Sequence, residues 1–184
     1  MKQTMKLAIT LSVYTVVACL ALAAVYNFTA PKIAQVKADK ANAALKAVFP
    51  EAEKFKEITG ELLWTDEKVK LQNAFAALKD DKVIGLTVTM EGATYAKAVI
   101  LLAVNLDNTI KNIRFLELTD TPGLGSKAAE EPFIGQFNGK ALNSSFIVND
   151  DINAIGGATI TSNGVAVIVK TGAAAAQNYI SKNQ

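Results

Sequence analysis

The run from Leu7 to Tyr26 decides the first element of the chain: twenty residues without a charge, preceded by Lys2 and Lys6, with the next charged side chain only at Lys32. At about 1.5 Å of rise per residue such a run crosses about 30 Å of hydrocarbon, where a lone segment satisfies its own backbone only as a helix. A cleaved leader is the alternative, since Ala21-Leu22-Ala23 fits a processing site and Val16-Val17-Ala18-Cys19 weakly fits a lipoprotein signal with Cys19 as acceptor. Leu20 to Tyr26 stays apolar where a processed segment turns polar, which favours an uncleaved transmembrane anchor over residues 1–30. Lys2, Lys6 and the terminal amine on one side nearly balance Lys32, Lys37 and Lys40 on the other. A long following domain is translocated largely regardless of such charges, so the remainder is expected outside the cytoplasm.

From Lys32 the apolar residues Ile33, Val36, Ala41, Ala44, Leu45 and Val48 keep helical spacing and Pro50 closes the pattern, which predicts a stalk helix over 31–50. Residues 51–184 then amount to one domain of ordinary size. Its pattern is α+β. Leu71 to Leu78 and Lys82 to Met90 flank Asp80-Asp81, and Ala98 to Leu106 and Thr109 to Leu118 flank Asp107-Asn108, predicting two antiparallel hairpins. Ile84, Leu86, Val88 and Met90 alternate with Gly85, Thr87 and Thr89, which predicts one buried face, whereas the continuous apolar run Val99 to Val104 predicts a strand covered on both. Ser145 to Val148 reads as a last strand and Gly164 to Ile180 as a closing helix, giving a mainly antiparallel sheet flanked by helices. Trp64 is expected in the core.

What the chain lacks narrows its chemistry. It has no histidine and one cysteine, Cys19, which removes haem and iron–sulfur ligation, ordinary zinc sites, internal disulfides and histidine-based catalysis. With a net charge of +2 and lysines scattered along its length, it carries no electrostatic footprint for nucleic acid. Redox chemistry here would need an organic cofactor.

Two glycine-containing stretches remain. Ile155-Gly156-Gly157-Ala158-Thr159-Ile160-Thr161-Ser162 sets two glycines and a hydroxyl cluster before an alanine-rich helical segment, an arrangement that can hold a phosphate on unpaired amides. On pattern alone the plainer reading is stronger: a turn followed by an N-cap at Ser162. Asp120-Thr121-Pro122-Gly123-Leu124-Gly125 is, by itself, a Pro-Gly turn. Glu91-Gly92-Ala93-Thr94-Tyr95 precedes the third strand, and Tyr95 fits packing as well as it fits a site.

Gly157-Ala158-Thr159-Ile160-Thr161-Ser162 resembles the flavinylation motif of the FMN-binding domain family, which holds the G subunit of Rnf complexes and the C subunit of sodium-pumping NADH:quinone reductases. Asp120 to Gly125 resembles that family's Glu-Thr-Pro-Gly-Leu-Gly loop, with aspartate for glutamate. Anchor, loop and acceptor turn stand in the family's order, and the short chain resembles the Rnf subunit more closely. The resemblance implies FMN esterified through its phosphate to the Thr159 hydroxyl by a separate flavin transferase, with amides near Thr161 to Asn163 holding the phosphate. It implies a ring between the acceptor turn and Thr121 to Gly125, and further membrane subunits of a ferredoxin:NAD⁺ oxidoreductase as partners. The cofactor-binding residues expected on this basis are Gly156, Gly157, Ala158, Thr159, Thr161 and Ser162 together with Asp120, Thr121, Pro122, Gly123, Leu124 and Gly125. Asn153 and Gly156 depart from the aspartate and hydroxyl residue common at those positions. A stand-alone flavin lipoprotein and an anchored module binding a phosphorylated ligand are the other readings.

Overall fold

The computed structural model describes residues 2–64 and 66–183, and divides into two compact units, one up to Ala41 and one from Asn42. The first unit is helix alone. Helix α1, Lys2–Val48, is 47 residues long, about 70 Å at helical rise and more than twice the hydrocarbon core. Its N-terminal half is long and apolar enough to cross a membrane. The hydroxyls of Thr10, Ser12, Thr15 and Thr29 donate to the carbonyls four residues back, so they add no unsatisfied polar group along the apolar stretch. The helix runs on through Pro31, so the expected division between anchor and stalk is not a break in secondary structure.

The second unit begins with the end of α1 and is built on a five-stranded meander, every neighbour antiparallel, in the order β1-β2-β3-β4-β5. The strands are β1 Lys54–Glu57, β2 Val69–Lys79, β3 Lys82–Gly92, β4 Ala98–Asn105 and β5 Ile110–Leu118. The two expected hairpins turn at Asp80 and Asp81, with φ of 50° and 57°, and at Asn108, with φ of 64°. Asp107 steadies the second turn by accepting the amide and hydroxyl of Thr109. Short and charged, β1 gives no apolar alternation and escapes a pattern search.

One face of the sheet packs on α3, Thr159–Asn183, whose Val165, Ile168 and Val169 share a core with Leu86, Val88, Met90, Ile100 and Leu102. On the other face Leu45, Val48 and Phe49 pack with Ala77, Leu101 and Ala103. This second cover explains why β4 is buried on both sides, as its apolar run predicts. It also corrects the expectation for β3, where Thr87 and Thr89 are buried as fully as the alternate apolar residues.

Other expectations give way too. Residues 145–148 form no strand: the Asp151 carboxylate accepts the amides of Phe146 and Ile147, Phe146 takes a φ of 49°, and pairing is reduced to one bridge, Val148 to Ile152. Trp64 is 42% exposed rather than in the core, its indole N–H donating to the Val69 carbonyl at 3.1 Å. Between β5 and α3 the chain runs through a 3₁₀ turn Gly125–Ala129, the single-turn helix α2 Glu131–Ile134 and a second 3₁₀ turn Gly135–Phe137. Here Phe137 is fully buried, edge-on to Phe133 and stacked on Phe146 at 6.3 Å.

Candidate functional site

Asp120, at the end of β5 and 5% exposed, joins three separated stretches of chain. Its Oδ1 accepts the Thr94 hydroxyl at 2.5 Å and the Ala96 amide at 2.9 Å; its Oδ2 accepts the Thr161 hydroxyl at 2.5 Å and the Tyr95 amide at 3.3 Å. Burial pushes the carboxyl pKa up, but the bonds from Thr161, Thr94, Ala96 and Tyr95 together outweigh it and hold Asp120 below the ordinary aspartate value. The result is a buried anion that ties the loop after β3, the loop after β5 and the start of α3 into one junction.

Above this junction opens a cleft of about 420 Å³, within the range of roughly 300–1,000 Å³ usual for small-molecule sites. Gly157, Ala158, Thr159, Ile160 and Thr161 line it from the start of α3. Tyr95, Thr121, Leu124 and Gly125 line it from the two loops. Tyr95 is 67% exposed, which sets it among the cleft residues and not in the core. Two glycines meet real steric demands. Gly157 has a φ of +75°, a conformation L side chains rarely adopt. At Gly125 a Cβ would fall 2.6 Å from Asp120 Cβ and 2.7 Å from Thr161 Oγ1, inside the carboxylate junction.

The turn from Ile155 to Ser162 is closed by its own hydroxyl. Ser162 Oγ accepts the Ile155 amide and donates to the Ala158 carbonyl, both at 3.0 Å, while the Ala158 amide bonds to the Ile155 carbonyl at 2.9 Å. Helix α3 therefore starts at Thr159, five residues before the start the sequence suggests. Thr161 and Ser162 are buried in its first turn, and neither is an N-cap. The Ser162 amide already bonds to the Ala158 carbonyl, so the amides without a helical partner are those of Thr159, Ile160 and Thr161, not Thr161 to Asn163. The Thr159 side chain is exposed.

Of the twelve expected residues, the cleft brings together Gly157, Ala158, Thr159, Thr161, Thr121, Leu124 and Gly125. Asp120 and Ser162 lie behind the wall as its supports. Pro122, Gly123 and Gly156 are outside the lining; Gly123 turns the loop with a φ of +76°, and a side chain at Gly156 would meet open space. Ile160, Thr94 and Ala96 carry no signal in the sequence, while Tyr95, left open there between packing and a site, lines the cleft.

Residues 95–174 match the description of an FMN-binding domain, and residues 1–48 that of an RnfG N-terminal region. The G subunit of the proton-translocating ferredoxin:NAD(+) oxidoreductase complex of Clostridium ljungdahlii is 33% identical over 155 residues, 81% of this chain and 78% of that protein. The chain belongs to the Rnf G-subunit family. A second G subunit, from the Na(+)-translocating complex of Acetobacterium woodii, is 29% identical over 89% of this chain and 87% of its own length. The fold is shared with solved structures of another complex: the C subunit of the Na(+)-translocating NADH-quinone reductase of Parabacteroides distasonis superposes with a TM-score of 0.52 at 17% identity, over 70% of this chain and 78% of that one. NqrC of Shewanella oneidensis gives 0.50 at 23%, over 60% of this chain and 59% of that one. Within the Rnf G-subunit family, the matched N-terminal region coincides with α1, which makes the chain a membrane-associated subunit. The matched FMN-binding region opens at Tyr95 and contains both cleft walls.

Proposed function

We propose that the chain is the FMN-carrying, electron-relaying subunit of an Rnf-type ion-translocating ferredoxin:NAD⁺ oxidoreductase, held in the membrane by α1 with its folded unit on the extracytoplasmic side. The flavin is attached covalently at Thr159. The observation that carries this reading is the position of Thr159: exposed, first in α3, at the lip of a cleft whose far wall is the 121–125 loop.

The residues present fit FMN. The amides of Thr159, Ile160 and Thr161 stand at the positive end of a 25-residue helix, where a phosphodiester is stabilised. Leu124, Ile160 and Tyr95 supply apolar surface for a flat ring, and Gly157 lets backbone come close to it. When bound, FMN supplies the one- and two-electron chemistry that no side chain of this protein offers.

For attachment, Thr159 Oγ1 would supply the nucleophile for the phosphate of an FAD donor, AMP would leave with the broken anhydride bond, and the hydroxyl proton would pass to a base. That hydroxyl is too weakly acidic to react unaided, so a flavin transferase must provide base and metal. Asp120 keeps the two walls together through Thr161 and Thr94. The chain passes electrons between other membrane subunits and turns over no substrate of its own. Purified from membranes that also contain a flavin transferase, the protein is expected to show flavin absorbance that bleaches on reduction, returns on reoxidation and stays with the chain in denaturant. Absorbance that washes away on denaturation would leave a bound ligand without the covalent link.

A further inference from the structure

Gln136 belongs to none of the motifs, yet its side chain forms a two-point clamp on the chain leading to the acceptor. Its Oε1 accepts the Asn153 amide at 2.7 Å and its Nε2 donates to the Asn153 carbonyl at 3.3 Å, with a further contact to the Pro132 carbonyl at 3.4 Å. One side chain thus does for residue 153 what a neighbouring strand would do. Its base is rigid: Gln136 sits in the 3₁₀ turn beside Phe137, which is fully buried and stacked on Phe146.

The clamp matters because it holds the chain that leads into the acceptor turn. From Asn153 to Thr159 the chain includes Gly156 and Gly157, both exposed, and glycine has the most backbone freedom to lose. Ser162 holds Ile155 from the helix side. Through its second bond, to the Ala158 carbonyl, Ser162 spans the two glycines, and Gln136 holds Asn153 two residues before Ile155, so the stretch of chain that enters the turn is fixed as well as the turn itself. The hold is on the backbone and the Asn153 side chain is exposed, so the clamp does not need the aspartate common at this position.

We propose that Gln136 is a positioning residue for flavin attachment: by fixing the backbone of Asn153 it presents the Thr159 hydroxyl in one conformation to the modifying enzyme. This rests on Thr159 as the covalent acceptor. The test compares detergent-solubilised full-length wild type, Gln136→Met and Gln136→Glu, each treated with purified flavin transferase and FAD. Attachment is followed by intact mass, and backbone order by amide hydrogen exchange.

Methionine keeps length and packing but loses both bonds, so attachment is expected to be about tenfold slower, equivalent to about 1.4 kcal/mol in the barrier. Asn153 and Ile155 amides should exchange faster while β4 amides stay protected. Glutamate keeps the acceptor and loses the donor, and should fall between the two. Gln136→Met loading at the wild-type rate overturns the proposal, as does unchanged exchange at Asn153. If Gln136→Met also loses β4 protection, Gln136→Glu decides: an intermediate rate supports the clamp and a wild-type rate overturns it. Wild type that gains no flavin mass removes the acceptor reading and the proposal with it, an outcome distinct from equal loading of all three proteins.

Discussion

Asp120 joins the two walls of the cleft without lining it. Four donors converge on its carboxylate, which stays ionised despite burial. Asp120→Asn places an amide N–H group against donors it cannot satisfy, and should cost about 1.5–3 kcal/mol, the range for hydrogen bonds to a charged group. Because the folded pKa is depressed, the stabilisation is complete above the unfolded pKa, roughly pH 4, and is lost as pH falls through the lower folded value. Thermal melts from pH 7 to pH 2 should show an acid-side loss in wild type that is reduced in Asp120→Asn; parallel curves would place the acid-sensitive group elsewhere. The sequence revealed this residue's neighbourhood through a loop motif, but not its partners. Thr94 and Thr161 lie 26 and 41 residues away, and no local pattern pairs them.

At the scale of elements, the hairpins were legible because turn residues and apolar alternation agree, whereas the start of α3 was not. Pattern marked Gly164 as a beginning, but it lies inside the helix where the helix crosses the loop after β3. A Cβ there would come 2.5 Å from the Ala93 carbonyl oxygen and 2.7 Å from Thr94 Cα, both backbone atoms with nowhere to go. Gly164→Ala would gain about 1 kcal/mol in a solvent-exposed helix. Here overpacking should reverse the sign and destabilise by about 1–3 kcal/mol. Because the displaced atoms belong to Thr94, the junction with Asp120 should loosen too. Denaturant unfolding of the detergent-solubilised chain gives the sign directly, and a stabilised variant would refute the close approach. The supposed strand at 145–148 failed for a related reason: β-prone residues do not pair when a side chain, here Asp151, takes their amides first.

For the whole molecule, the uncharged run over 7–26 was the plainest signal in the sequence, and the long apolar α1 agrees with it. The helical spacing over 31–50 likewise agrees with a helix that reaches Val48; what the pattern does not convey is that its last turns, with Phe49, cover the second face of the sheet. Alkaline phosphatase fused after residue 184 should be active and a cytoplasmic reporter at the same place silent; the reverse pattern would put the folded unit inside the cell. The central claim, one flavin on one threonine, is tested most directly by peptide mass mapping of the chain co-produced with a flavin transferase, alongside Thr159→Ala and Thr161→Ala. Wild type is expected to carry the mass of FMN less one water on Thr159, a folded Thr159→Ala none, and Thr161→Ala the same increment on Thr159 in a protein that is less stable for want of its bond to Asp120. An increment that persists on the Thr159→Ala chain after denaturation, at Thr161, Ser162 or elsewhere, would contradict the central claim.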